Sequence, residues 1–262
     1  MGAADPVLAL LDLVLPRTCG GCRMPGTPLC PRCRGHLEAG PIRLAPRVDP
    51  GVPCWALGDY SEGRRATVLA IKEHGRRDLC RPVGSALAGA IGRLRVAGDL
   101  DEDLAGPLLI VPAPTRAVAA RRRGGDPVVA ICRAVAAELG RPPRHRVGRG
   151  GASVAVAPIL SLDRGAHDSV GLTAAQRRAN LAGRLRIRAR EARRAIDWSR
   201  QRAPGMDPTI VLIDDVLTTG ATASESVALL HDSNLPVGAV LVVASGARRR
   251  VDPERSIRPT RW

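Results

Sequence analysis

From Thr209 the chain reads TIVLIDDVLTTGATASES, an apolar run that ends on two adjacent aspartates and passes at once into a turn of threonine, glycine and alanine. An apolar run of this length, bounded by turn residues, predicts a buried strand. The segment after it, ATASESVALLHDSN, predicts a helix, and VGAVLVVAS predicts another strand. Strand, turn, helix and strand in that order read as a parallel α/β unit. The alternation extends back to about residue 106. A short strand at Leu108 to Val111 is stopped by Pro112 and Pro114, and a helix follows over VVAICRAVAAELG. Pro127 suits the first turn of that helix and Gly140 its end. Residues 106–245 are therefore expected to form one parallel sheet flanked by helices. Ligands of such sheets bind at the carboxyl ends of strands, which is where Asp214 and Asp215 fall.

The residues after the strand suit a particular anion. Backbone N–H groups at a helix start near Ala223 form a cup for a phosphate, and Gly220 permits its close approach. Thr218, Thr219 and Thr222 add hydroxyl donors. The two carboxylates stand a short distance before the cup, where they can accept from vicinal hydroxyls. Diol plus phosphate at that separation describes a ribose 5-phosphate. A strand ending in acids also occurs opposite a phosphate loop of the form GxxxxGK[ST], but that pattern is absent from the chain. A capped helix after a buried strand accounts for Asp215 but leaves three threonines around one glycine unexplained.

A second pattern lies near the N-terminus. CGGCRMPGTPLCPRC holds Cys19, Cys22, Cys30 and Cys33 as two CxxC pairs with seven residues between them. Four thiolates complete a tetrahedral zinc shell with no open position, so the metal's role is structural. Pro25, Gly26 and Pro28 make the intervening segment a turn. A redox pair or chance clustering is the competing reading. Residues 13–36 are taken as this zinc knuckle. Cys54, Cys80 and Cys132 read as buried thiols.

The remaining segments are less patterned. Residues 34–53 are rich in Pro and Gly and read as a linker. Residues 55–95 form a lead-in, with a strand at CWALGDY followed by helix, turn and helix. A weak strand is expected at SVAVAPIL. The segment GLTAAQRRANLAGRLRIRAREARR is basic and ambiguous, and residues 246–262 read as a flexible basic tail. Phe is absent and aromatics are 2% of the 262 residues, so the core rests on Val, Leu, Ile and Ala. Formal net charge is +15, which points to anionic partners. Lys72 is the only lysine, and such an arginine excess also arises from a GC-rich genome. The opening MGAADPVLALLDLVLP has no basic start, and Asp12 interrupts its apolar stretch. Nothing approaches the ~20 apolar residues of a membrane span. A cytoplasmic protein is expected, with reduced thiols that favour metal over disulfide.

IDDVLTTGAT resembles the phosphoribosyl-diphosphate (PRPP) motif of type I phosphoribosyltransferases. With the four-cysteine knuckle, the KEHGR segment, the VPAP strand end and an arginine-glycine loop, the chain resembles the ComF family within that fold from about Leu13 to Ala244. The resemblance implies a type I phosphoribosyltransferase-like α/β fold with a small N-terminal zinc module. It implies that Asp214 and Asp215 hold the ribose hydroxyls, and that Thr218, Thr219, Gly220, Ala221 and Thr222 bind the 5-phosphate. Arg122, Arg123, Gly124 and Gly125 map onto the pyrophosphate loop, for which an arginine fork and glycine backbone are apt. Mg²⁺ would bridge pyrophosphate and ribose oxygens with few protein ligands. Arg177 or Arg178 and Asn180 fall in a mobile hood that closes over PRPP.

The chain departs from the family twice, reading RGGDPV for RGFNQA and Ser169 where Gln is usual. Three functions follow from the resemblance: a phosphoribosyltransferase with an unidentified acceptor, a PRPP-responsive protein without catalysis, or a DNA-handling accessory of natural transformation. The partners expected are PRPP, single-stranded DNA and a second copy of the chain. With Trp55, Trp198, Trp262 and Tyr60 as the only large rings, base stacking is poorly served, and nucleotide chemistry is favoured.

Overall fold

The structure, a computed structural model, describes residues 18–100, 106–115, 125–141, 153–163 and 184–249. The N-terminal part runs through α1 (Pro31–Glu38), β1 (Ile42–Ala45), β2 (Cys54–Ala56), α2 (Glu62–Lys72), a 3-10 turn (Arg77–Leu79) and α3 (Cys80–Val96). Then come β3 (Leu108–Pro112), α4 (Pro127–Leu139), β4 (Val154–Val156), β5 (Leu160–Leu162), β6 (Leu185–Ile187) and α5 (Ala189–Arg202). The chain closes with β7 (Thr209–Leu217), α6 (Ala221–Asp232), β8 (Ala239–Ser245) and β9 (Arg248–Arg249).

Seven strands make one sheet in the order β4-β3-β7-β8-β2-β1-β9, and β5 pairs with β6 separately. The five strands from β4 to β2 are mutually parallel, while β1 runs antiparallel to β2 and β9 to β1. The central strands carry apolar residues on both faces, as a sheet covered on both sides requires. Leu108, Ile110, Val211, Ile213, Leu241 and Val243 face α3 and α4. Leu109, Val111, Ile210, Leu212, Val240 and Val242 face the layer that contains α6. A mostly parallel sheet flanked by helices is therefore present, and it draws β1, β2 and β9 from outside residues 106–245.

The connections decide where a ligand fits. From β3 the chain crosses by α4 to β4 on one side, and from β7 it crosses by α6 to β8 on the other. The two crossovers lie on opposite faces of the sheet. Between the carboxyl ends of β3 and β7 the connections diverge and leave a crevice, the position where open α/β sheets bind ligands. Local chemistry fixes the helix starts. Asp126 caps α4 by accepting from Val128 N (2.9 Å) and Val129 N (3.3 Å), with Pro127 in the first turn.

Several boundaries differ from the sequence reading. The presumed linker at 34–53 contains most of α1 and all of β1. The lead-in contributes β2 to the main sheet, and the cysteine segment packs into the main core, where Leu29, Cys30, Cys33 and Leu37 share a cluster with Leu79 and Leu87. The stretch read as a flexible basic tail, residues 246–262, includes β9, whose Arg249 pairs with Leu44 of β1 and bonds Asp59 through Nε (3.0 Å). The helix after the aspartates starts at Ala221, the first residue of the segment expected to be helical, because Gly220 turns the chain at once with φ 90°. The ambiguous basic segment ends in β6 and α5. No helix among the described residues is long and apolar enough to cross a membrane.

Candidate functional site

The pairing of β3 with β7 ends at Pro112 opposite Ile213, whereas β7 and β8 stay paired as far as Leu217 and Ser245. Asp214 is thus the first residue of β7 beyond the end of β3, in the notch at the mouth of the crevice. Adjacent residues of a strand face opposite ways, and the two aspartates do so. Asp214 lines a pocket with Thr218, Thr219, Gly220, Ala221 and Thr222. Asp215 is 7% exposed and turns toward α2, where Lys72 Nζ lies 2.7 Å from its Oδ2. The predicted phosphate cup and one carboxylate are therefore brought together, while the second carboxylate turns away to Lys72.

The turn is held from above as well as below. Val48 N donates to Thr219 O (2.9 Å), so the segment after β1 straps across the cup. A Cβ on Gly220 would lie 2.3 Å from Val48 O and 2.9 Å from Pro46 Cβ, and its φ of 90° is itself unfavourable for a side chain. Thr219 Oγ1 accepts from Ala221 N (3.4 Å) at the start of α6, and Ser245 Oγ donates to Leu217 O (3.0 Å) at the end of β7. The result is a short, fixed loop at a helix N-terminus, where orphan N–H groups favour an anion.

Charge around the acids is unevenly shared. Burial, and then the neighbouring Asp215 charge, push the Asp214 carboxyl up to about 8, against a smaller pull from Lys72. Burial opposes the Lys72 ammonium, but the two aspartates outweigh it and raise its pKa. Asp214 also accepts from Asp215 N (2.8 Å), which orients its carboxylate.

Of the expected pyrophosphate loop, Arg122, Arg123 and Gly124 lie outside the described residues. Gly125 is described, exposed, at φ 133°, and its carbonyl accepts from Arg77 Nη2 at 2.6 Å. The two ends of that loop are tied by a hydrogen bond from the Thr115 hydroxyl to the Asp126 carboxylate. The hood residues Arg177, Arg178 and Asn180, and Ser169 before them, also lie outside the described residues. Sequence reasoning missed Lys72, Arg77 and the Pro46–Val48 strap. Only Lys72 carries a signal, as the single lysine among so many arginines.

The four cysteines converge. The Sγ atoms of Cys19, Cys22, Cys30 and Cys33 lie within 4.8 Å of one another, close enough for one metal ion to bind all four. Among the described residues this is the one such group. Gly21 N (3.4 Å) and Cys30 N (3.3 Å) point at Cys19 Sγ, and Cys33 N (3.5 Å) at Cys30 Sγ. Burial acts to raise the Cys19 thiol, but backbone donors outweigh it and bring it down to about 6. Cys33 is raised by burial and by the other thiols. Gly21 is required there, since a Cβ would meet Cys33 Sγ at 2.6 Å. The donor set of four thiolates with N–H···S support suits a closed structural site. Cys54, Cys80 and Cys132 are buried, as expected, and burial raises each thiol pKa.

No family model matches the chain, and no curated protein matches it either.

Proposed function

We propose that this is a ComF-like protein of the type I phosphoribosyltransferase fold that binds PRPP at the carboxyl edge of β7 and transfers its phosphoribosyl group to an acceptor. The observation that carries the reading is the convergence of Asp214 and the Thr218–Thr222 turn on one pocket at the point where the sheet connections diverge. In this reading the turn and the start of α6 take the 5-phosphate, and Asp214 accepts from the ribose hydroxyls. The loop that ends at Gly125 meets the pyrophosphate, and PRPP enters as its Mg²⁺ complex. The bond from the anomeric carbon to pyrophosphate breaks, with the electron pair leaving on pyrophosphate, as the acceptor nucleophile bonds to that carbon. The protein's share is positioning and charge stabilisation. Zn²⁺ is the ion proposed for the cysteine group, where tetrahedral thiolate ligation suits it.

Thermal unfolding tests the ligand. At a hundredfold excess over its Kd, a ligand of the folded state stabilises by about 2.7 kcal/mol. For a chain of this size that raises the Tm by roughly 5–10 °C. PRPP with Mg²⁺ is expected to produce such a shift, and ribose 5-phosphate a smaller one. Absence of any shift with PRPP contradicts the assignment. Release of pyrophosphate on adding trial bases or amines then separates a transferase from a PRPP-responsive protein without turnover.

A further inference from the structure

The only lysine of the chain sits at the last position of α2 with its ammonium 2.7 Å from the Asp215 carboxylate. Every other Lys or Arg position in the sequence is arginine. Two structural roles compete for it. A cation at a helix C-terminus is favourable in itself, but that role needs no carboxylate from a strand 143 residues away. A buried ion pair adds little stability over apolar packing of the same volume, because both charges lose water. The Asp215 side chain is 9% exposed and that of Lys72 32%, so the pair stands at the rim of the site rather than on open surface. The backbone of α2 is anchored by Val68 and Ile71 in the core, which fixes where the ammonium reaches. A compact ammonium on a flexible stem can meet one carboxylate oxygen there, whereas a planar guanidinium asks for a bidentate partner.

We propose that Lys72 is a positioning residue of the site: its ammonium holds the Asp215 carboxylate in place and balances the adjacent acids, which favours the ionised form of Asp214 that accepts from the ligand's vicinal hydroxyls. The inference rests on reading the pocket as a ribose-phosphate site. Among the described residues, the charged and titratable groups that bear on it are Asp214 and Asp215 on β7, Lys72 on α2, Tyr60 ahead of α2, and Cys132 of α4, itself near the capping Asp126. Of these Lys72 alone is a cation, and its loss leaves the half-buried Asp214 and the buried Asp215 carboxyls to repel each other. Removing it should therefore raise the pH at which Asp214 ionises, and with it the pH at which the diol is held best.

The test compares wild type with Lys72→Met and Lys72→Arg. In ligand-free protein labelled with 13C at the aspartate carboxyls, the Asp214 signal, assigned through Asp214→Asn, is followed against pH. Lys72→Met is expected to move its midpoint upward by about one unit or more and Lys72→Arg by less. PRPP affinity measured across the same pH range should fall at least tenfold at pH 7 in Lys72→Met and recover in part as pH rises. A merely structural lysine would lower Tm and leave both midpoints unmoved, which overturns the proposal. If the carboxyl midpoint moves but wild type binds no PRPP, the ligand reading fails and the role of Lys72 toward Asp214 stands. If wild type binds PRPP and Lys72→Met shifts neither midpoint, the ligand reading stands and the proposal falls.

Discussion

Gly220 does two things that no other residue can do at once. It turns the chain with φ 90° into α6, and it leaves room for the Val48 carbonyl that crosses above it. The left-handed conformation alone costs a side chain about 1–2 kcal/mol. Gly220→Ala should lower stability in chemical denaturation by at least that much and weaken any anion held by the turn. Wild-type stability would show that the strap shifts freely. Asp214 makes a different prediction, through its charge. Its folded-state pKa of about 8 lies above the ordinary carboxylate value, so the folded chain keeps a proton that the unfolded chain releases. That contribution to stability is complete below about pH 4 and is lost as pH rises through 8. Asp214→Asn lacks this term, so its melting temperature relative to wild type should climb between pH 5 and 9. A difference that stays constant with pH would mean that Asp214 is not held neutral by burial.

At the scale of elements, what could be read from sequence was what carries its own period or punctuation. The runs that became β7 and β8, and the Asp126-Pro127 start of α4, declare themselves locally. By contrast β1 lies in a Pro- and Gly-rich stretch and exists because β2 and β9 pair with it, a tertiary cause that no window of sequence contains. The strands β5 and β6 are three residues each, too short to show alternation. For the same reason of separation the turn Thr218–Thr222 could be recognised, while the Lys72–Asp215 pair could not. The cysteine segment was legible as a candidate ligand set but not in its packing: Cys19, Cys30 and Cys33 share a core cluster with Leu79 and Val83, so the cysteine group braces the start of α3. Emission spectroscopy of the purified protein should find about one zinc per chain, in line with a closed four-thiolate site. Cys19→Ser should release it and lower the Tm by several degrees. Metal-free wild-type protein would remove the zinc assignment.

Over the whole molecule, the parts meet at one edge of the sheet. Strand β7 brings Asp214, α6 begins under the turn, α2 delivers Lys72, and the knuckle packs into the core that supports α2 and α3. Arg77, in the turn between those helices, reaches the Gly125 carbonyl beside the β3–α4 loop. The chain thus closes its N-terminal third onto the carboxyl end of the parallel strands, where the connections leave room for a ligand. The measurement that bears most directly on this account is calorimetric titration with PRPP in the presence of Mg²⁺ at pH 9, where Asp214 is ionised, for wild type and for Asp214→Asn. Hydrogen bonds to a charged acceptor contribute about 1.5–3 kcal/mol. One site per chain is therefore expected in wild type and roughly 10- to 100-fold weaker binding in the variant, with the fold intact by circular dichroism. Equal affinity in the two proteins, or no heat of binding in wild type, would contradict it.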